Sequence, residues 1–247
     1  MANKWIKAVL KLDHGKGPIK KSDLRRELES NAVAEIYPPD ELKAIFSVMT
    51  DEEFLRYETF LKSGLRKQEV MHIEEDDAVI DFAPDAQEKR KIRVERKKQY
   101  GFIPKNGKSR SVPIPRDLAE RLLAWKQTQR PTKLLFGTRT GEPDRHMLEK
   151  LRSIAKRAGL DPSHFWLHKF RATYAVGRLR AGVDVETVRE WLGLKDTESL
   201  KAYLVHLQNE EAIALGKVDS GHVAITPASN VLRTSAEGTG TAKSACV

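Results

Sequence analysis

The hydrophobic and polar positions of the chain first follow a helical period. Asp40 stands where an N-cap belongs, and apolar residues then recur at helical spacing. These residues are Leu42, Ile45, Phe46 and Met49. After Thr50 the same period continues as far as Gly64. The pattern therefore predicts two consecutive amphipathic helices in this part of the chain.

Between residues 72 and 116 the period becomes that of β-strands. Strands are predicted at 78–82, 91–95 and 109–114. Asn106-Gly107 supplies a turn before the last strand, because this dipeptide tolerates positive φ. We predict a small antiparallel sheet whose last hairpin projects lysines from its turn.

Residues 117–215 return to a helical period. Asp161-Pro162 is typical of a helix start, and Gly182 is typical of a helix end. The helices predicted here span 118–127, 146–158, 164–181, 185–192 and 199–215. The fold class is therefore α+β and mainly α, with one small antiparallel β-sheet.

The periodic part of the chain predicts one domain over residues 39–216. Residues 1–38 are too few to bury a core, so they are interpreted as the end of a preceding region and a linker. From residue 217 onward Gly, Ser, Thr and Ala dominate, and a disordered tail is expected over 217–247.

The net charge is concentrated in one segment. The 247 residues hold 44 Lys and Arg against 35 Asp and Glu, which gives +9. Residues 86–116 hold eleven of the basic side chains against two glutamates, so this stretch alone equals the excess of the whole chain. Such a concentration is typical of proteins that bind the phosphate backbone of nucleic acids. The candidate DNA contacts are Lys97, Lys98, Lys108 and Arg110.

Composition excludes several other classes. No run of 18 apolar residues exists, which excludes a membrane-spanning helix, and the N-terminus lacks the apolar stretch of a signal peptide. Cys246 is the single cysteine, which excludes a disulfide framework and a cysteine-built zinc site. A cytoplasmic protein with an anionic partner is expected.

Three short motifs carry candidate chemistry. His168 and Arg171 lie three residues apart on a predicted helix, as do Arg66 and Glu69 just after a glycine. Tyr203 follows Gly193 by ten residues. Each motif alone is more typical of a solvated helix face, an intrahelical ion pair or a packed tyrosine.

In this order, and separated by the basic hairpin, these segments resemble the catalytic domain of the tyrosine recombinases, the phage integrase family. The resemblance runs from about residue 37 to residue 206. It implies a catalytic set with a tyrosine nucleophile and a supporting glutamate. By position these are Arg66, Lys105, His168, Arg171 and Tyr203, supported by Glu69.

The resemblance implies an enzyme that cleaves and rejoins double-stranded DNA through a 3′-phosphotyrosine, as site-specific recombinases and integrases of mobile elements do. No metal or nucleotide cofactor is expected. The resemblance also implies self-association as a tetramer on DNA and a cytoplasmic, nucleoid-associated location. Residues 1–38 would then be the remnant of an N-terminal core-binding region.

One position departs from the family's pattern and leaves alternatives open. Where a second histidine usually follows Leu-Gly, this chain has Leu194, which offers no N–H to a phosphate oxygen. Loss of one such donor typically costs about 10²–10³ in rate. The alternatives are a catalytically impaired DNA-binding protein with the recombinase fold, a type IB topoisomerase-like enzyme that nicks and reseals DNA, and an RNA-binding module. The last lacks an aromatic stacking pair on its strands.

Overall fold

A computed structural model describes residues 34–82, 89–128 and 133–209. Most of the expected N-terminal remnant lies outside the described residues. So do the last residues of the predicted final helix and the expected tail over 217–247.

Three helices open the described chain: α1 (Pro39–Ser47), α2 (Asp51–Ser63) and α3 (Lys67–Met71). Helix α2 begins and ends as predicted. Thr50 accepts a hydrogen bond from the Glu53 backbone in a reciprocal capping box, and Gly64 ends the helix with φ +63°. The prediction that Asp40 caps α1 is wrong. The helix starts two residues earlier than that cap would give because Pro39 is suited to its first turn, which leaves Asp40 inside that turn near the positive end of the helix dipole.

The predicted sheet is confirmed, with strands β1 (Ala78–Asp81), β2 (Lys89–Val94) and β3 (Arg110–Pro113). All pairs are antiparallel, in the order β1-β2-β3, and the buried Ile92 of the central strand faces Ala78 and Val112. The predicted lysine-bearing turn is confirmed, and the Gly107 N–H closes it by donating to the Pro104 carbonyl at 2.7 Å. It lies within the long connection of residues 95–109, where Gly107 has φ +66°.

Four further helices follow the sheet, and their predicted positions are confirmed to within three residues. They are α4 (Arg116–Lys126), α5 (Met147–Arg157), α6 (Leu167–Arg180) and α7 (Val185–Leu192). Helix α6 starts later than predicted because Asp161 caps a separate 3-10 turn, Pro162–His164. Residues 201–209 are helical and form α8.

Two apolar clusters hold these elements together. One joins α1, α2, the sheet, α4, α5 and the start of α6, and the other joins the rest of α6 to α7 and α8. Phe170 belongs to the first cluster and Ala172 to the second, so Arg171 lies where α6 passes from one to the other. Within the described ranges, no helix has the length and apolar character needed to cross a membrane.

Candidate active site

The C-terminal end of helix α7 is the centre of the candidate site. Gly193 ends this helix with φ +59°, and the last carbonyls of a helix lack partners within it and carry its negative dipole end. The carbonyl oxygens of Trp191, Leu192 and Gly193 all accept hydrogen bonds from side chains elsewhere in the chain. The donors are Arg66, Arg110, Arg171 and Asn106. We call these three carbonyls the carbonyl cradle.

Arg171 is the most deeply placed of the donors. Its side chain is buried, and its two terminal nitrogens donate to the carbonyl oxygens of Gly64, at 2.7 Å, and Leu192, at 2.5 Å. Burial, with the nearby charge of Arg66, lowers the pKa of Arg171 to about 10. The guanidinium therefore remains a cation at neutral pH.

Arg66 lies beside Arg171 and shares one of its partners. Nη1 donates to the Leu192 carbonyl at 3.2 Å and to Glu69 Oε1 at 3.1 Å, and Nη2 donates to the Gly193 carbonyl at 3.2 Å. Arg66 is also the N-cap residue of α3. The two arginines are thus fixed largely by backbone oxygens.

Glu69 is a buried carboxylate surrounded by cations. It accepts a hydrogen bond from the Arg66 backbone at 2.8 Å and two from Arg110, at 2.8 and 2.7 Å. Burial opposes its ionisation, but the hydrogen bonds and charge of Arg110, and then those of Arg66, hold the pKa of Glu69 below its ordinary value. Glu69 is therefore an anion at neutral pH, which suits the supporting role predicted for it.

A cavity of about 400 Å³ brings together four of the predicted catalytic side chains. Arg66, Lys105, His168 and Arg171 all line it. A second cavity of about 440 Å³ is lined by Arg66 and Lys105 again, and also by Lys108 and Leu194. Lys105 therefore borders both cavities, whereas Lys108 borders the second one.

His168 is held neutral by its surroundings. The side chain keeps access to solvent, but the protein around it partly removes water from the ring. This desolvation, followed by the charges of Arg171, Arg66 and Lys105, lowers the pKa of His168 below 6.5. At neutral pH the imidazole can therefore accept a proton.

Tyr203 does not line the 400 Å³ cavity that Arg66, Lys105, His168 and Arg171 share, but it lies near Arg171. It is 6% exposed and packs in the second apolar cluster with Leu192 and Leu200. The phenol interacts electrostatically with Arg171. Within the described part of the chain, its hydroxyl makes no hydrogen bond and is not sealed from solvent.

The four candidate DNA contacts divide into two kinds. Lys98 and Lys108 are exposed. Lys97 is buried and its ammonium lies 2.9 Å from Glu74 and 2.8 Å from Asp77. Arg110 is likewise engaged by Glu69. Two of these charges are therefore paired inside the protein, and the assignment of all four residues as DNA contacts stays a prediction.

Sequence reasoning missed these internal roles for a physical reason. The carboxylates that neutralise Lys97 lie at least 20 residues earlier in the chain, and the partner of Arg110 lies 41 residues earlier. The cradle itself is made of backbone oxygens, which leave no residue pattern. Among the described residues, no three His, Cys, Asp or Glu side chains gather as a metal site would require.

The fold defined by these elements is that of the tyrosine recombinase catalytic domain. The crystal structure of XerA recombinase has a TM-score of 0.57 at 18% identity, covering 78% of this chain and 67% of that one. XerH recombinase bound to a palindromic difH substrate has a TM-score of 0.58 at 20% identity, covering 76% of this chain and 54% of XerH. A lambda integrase dimer bound to a core site has a TM-score of 0.51 at 15% identity, covering 83% and 69%.

The sequence model of the phage integrase family matches residues 36–210, and the chain belongs to this family. A Sinorhizobium fredii protein named as the integrase/recombinase y4rC is 30% identical over 166 residues, which are 64% of this chain and 46% of that protein. A XerC-like tyrosine recombinase of Caldanaerobacter subterraneus is 26% identical over 224 residues, which cover 71% of this chain and 55% of that protein. The chain thus spans about half the length of these curated relatives.

Proposed function

We propose that this chain is a site-specific recombinase that cleaves and rejoins double-stranded DNA, with Tyr203 as the nucleophile. The observation that carries the proposal is the shared cavity, which gathers two guanidiniums, a lysine and a neutral histidine. Family membership and the DNA-bound state of XerH and lambda integrase support the same substrate.

The chemistry follows from the residue types. The Tyr203 oxygen attacks the scissile phosphorus and passes its proton to the neutral imidazole of His168. A bond forms between that oxygen and phosphorus, and the bond to the 5′-oxygen breaks. Lys105 donates a proton to the departing 5′-oxygen. The resulting 3′-phosphotyrosine keeps the phosphodiester linkage, so a 5′-hydroxyl end can reverse each step and rejoin the strand.

The two arginines stabilise the charge that develops on the phosphate. A guanidinium has five N–H groups, and the hydrogen bonds described above use three of those on Arg66 and two of those on Arg171. The remaining N–H groups are available to the non-bridging oxygens. Because the cradle fixes both side chains beforehand, little reorganisation accompanies the reaction.

The first test is covalent trapping on a pool of nicked duplexes of randomised sequence, resolved on a denaturing gel beside Tyr203→Phe. A protein–DNA band from the unaltered chain that Tyr203→Phe lacks supports the proposal. Equal, salt-dependent DNA binding by both proteins without a band instead supports a recombinase-fold DNA-binding protein without turnover. Leu194 is the observation that favours this second function.

Leu194 gives that second function its own test. It borders the second cavity with Arg66 and Lys105, where it supplies no hydrogen-bond donor. We expect Leu194→His to raise the rate of covalent-complex formation by up to about 10²–10³. Leu194→Met, which keeps the volume and adds no donor, is the matched control. If both variants react equally, the missing donor does not limit this chain.

The proposal also covers assembly and location. We propose that the chain self-associates as a tetramer on DNA. We also propose a cytoplasmic, nucleoid-associated location. Transfer of the cleaved strand to a second labelled duplex separates a recombinase from a topoisomerase-like enzyme, which reseals the strand it cut. The mass of the DNA complex in solution tests the assembly.

A further inference from the structure

All three nitrogens of the Arg110 guanidinium donate hydrogen bonds within the protein. Nε donates to the Trp191 carbonyl at 2.8 Å, and the two terminal nitrogens bind the two oxygens of Glu69 at 2.8 and 2.7 Å. The side chain of Arg110 is 12% exposed and that of Glu69 is 2% exposed. A guanidinium that moved to a DNA phosphate would leave this buried carboxylate short of its main partner, which is strongly unfavourable.

These contacts join three separate elements. Arg110 begins β3, Glu69 belongs to α3, and Trp191 lies at the end of α7. Glu69 in turn binds Arg66, and the next carbonyl after Trp191 binds both catalytic arginines. The single side chain of Arg110 therefore ties the carboxylate to the carbonyl cradle.

We propose that Arg110 is a positioning residue that sets the geometry of Arg66 and Arg171, rather than a DNA contact. The inference rests on the proposed function. Arg110 binds the Glu69 carboxylate, which pairs with Arg66, and the Trp191 carbonyl, which directly precedes the Leu192 carbonyl that binds both guanidiniums.

Gly193 independently indicates how closely this guanidinium fits. A Cβ atom at position 193 would lie 2.9 Å from Nη1 and 3.0 Å from Cζ of Arg110. The backbone end of α7 and the guanidinium thus lie against each other, with no space for a side chain. A shift of the Arg110 side chain would therefore displace the carbonyl cradle, because the two are in contact.

The test compares Arg110→Lys and Arg110→Gln with the unaltered chain and Tyr203→Phe. Lysine keeps the charge but cannot bind a carboxylate in a bidentate way. We expect both Arg110 variants to lose about 10²-fold in covalent-complex rate at saturating DNA, as small misplacements of catalytic groups do. We expect the salt dependence of DNA affinity to stay unchanged. Lys108→Gln, which removes an exposed cation, should reduce the salt slope by about 1.

A substrate with sulfur in place of the bridging 5′-oxygen identifies which catalytic group is affected. Sulfur departs without protonation, so this substrate restores activity to a protein whose general acid is misplaced. We expect no restoration for the Arg110 variants, because their defect lies in the arginines. Restoration would show that Arg110 acts through Lys105 and would overturn the inference, as would a reduced salt slope for Arg110→Gln with a normal rate.

Arginine side-chain NMR keeps the inference testable without turnover. With signals assigned from Arg66→Lys and Arg171→Lys, Arg110→Lys should shift the Nε–H resonances of both arginines, while circular dichroism confirms a folded protein. Unshifted resonances would overturn the inference. If the unaltered chain forms no covalent complex, the proposed function fails, and these resonances still decide the role of Arg110.

Discussion

Lys105 and Lys108 lie on the same exposed turn, yet their surroundings differ. Lys105 borders the cavity that holds His168 and Arg171, and its charge contributes to the lowered pKa of that histidine. Lys108 borders the second cavity but not the cavity that holds His168 and Arg171. The structure therefore favours Lys105 as the proton donor to the leaving oxygen.

Replacement of the two lysines should give two different defects. Lys105→Ala is expected to lower the cleavage rate at saturating DNA by about 10²–10⁴, the usual contribution of a general acid. The sulfur-bridged substrate should restore most of this loss. Lys108→Ala is expected to weaken DNA binding and reduce the salt slope by about 1. Restoration of Lys108→Ala, and not of Lys105→Ala, would exchange the two assignments.

The neutral state of His168 predicts a pH profile. Desolvation and three neighbouring cations lower its pKa, so protonation requires a pH below the ordinary 6.5. We expect the single-turnover cleavage rate to be level between about pH 7 and 8 and to fall on acidification only below pH 6.5. His168→Gln should lose this acidic limb. A rate that already halves at or above pH 6.5 would contradict the lowered pKa.

At the scale of elements, the junction between α2 and α3 is packed too closely to admit a side chain at Gly64. Gly64 has φ +63°, its carbonyl accepts a hydrogen bond from Arg171, and a Cβ atom there would lie 2.4 Å from the Tyr174 ring. Gly101 has nearly the same backbone angle, φ +64°, with no atom within 4 Å of the added Cβ. The two glycines thus share a left-handed backbone conformation, which would strain any residue with a side chain, and they differ in available space.

Alanine at these two positions should separate strain from collision. Gly101→Ala is expected to lower the free energy of unfolding by about 1–2 kcal/mol, the cost of a left-handed residue with a side chain. Gly64→Ala should cost about 1–3 kcal/mol more, because the Tyr174 ring has to move. Urea denaturation of both variants measures the difference. Equal destabilisation would show that the core around Tyr174 yields without cost.

The accuracy of the sequence predictions depended on how local the determining interactions are. Helix α2 is defined by Thr50 and Gly64 at its own ends, so its limits were predicted correctly. Helix α7 was likewise predicted to the residue. The strand ends on either side of the connection 95–109 were predicted to within one residue, whereas the burial of Lys97 was not predicted, because the carboxylates that bind it lie far away in the sequence. The candidate catalytic residues were predicted through the family resemblance, and their roles remain a proposal. The groups that orient them are backbone oxygens, which no sequence pattern reveals.

For the molecule as a whole, an excess of nine positive charges does not mean nine contacts with DNA. Residues 97 and 98 show why: Lys97 is buried between two carboxylates, whereas its neighbour Lys98 is exposed. The charge that counts for DNA affinity is the part that no internal carboxylate neutralises.

Variants at these adjacent positions should therefore affect different properties. Lys98→Gln is expected to reduce the salt slope of DNA affinity by about 1 and to change stability by less than about 0.5 kcal/mol. Lys97→Gln should leave the slope unchanged but destabilise the fold by about 3 kcal/mol, since it uncovers two carboxylates. Fluorescence anisotropy over a salt series and thermal unfolding measure the two effects. A smaller slope for Lys97→Gln would return that lysine to the DNA interface.

The carbonyl cradle also bears on how freely this chain can change over evolutionary time. Every amino acid supplies the same carbonyl oxygen, so the acceptor that Arg66 and Arg171 share at position 192 does not depend on the chemistry of the side chain there. Leu194 lies just past the cradle and contributes none of the acceptor oxygens. Leucine at position 194 therefore leaves the acceptors of both guanidiniums in place, and a hydrogen-bond donor introduced there would face a site that is already assembled.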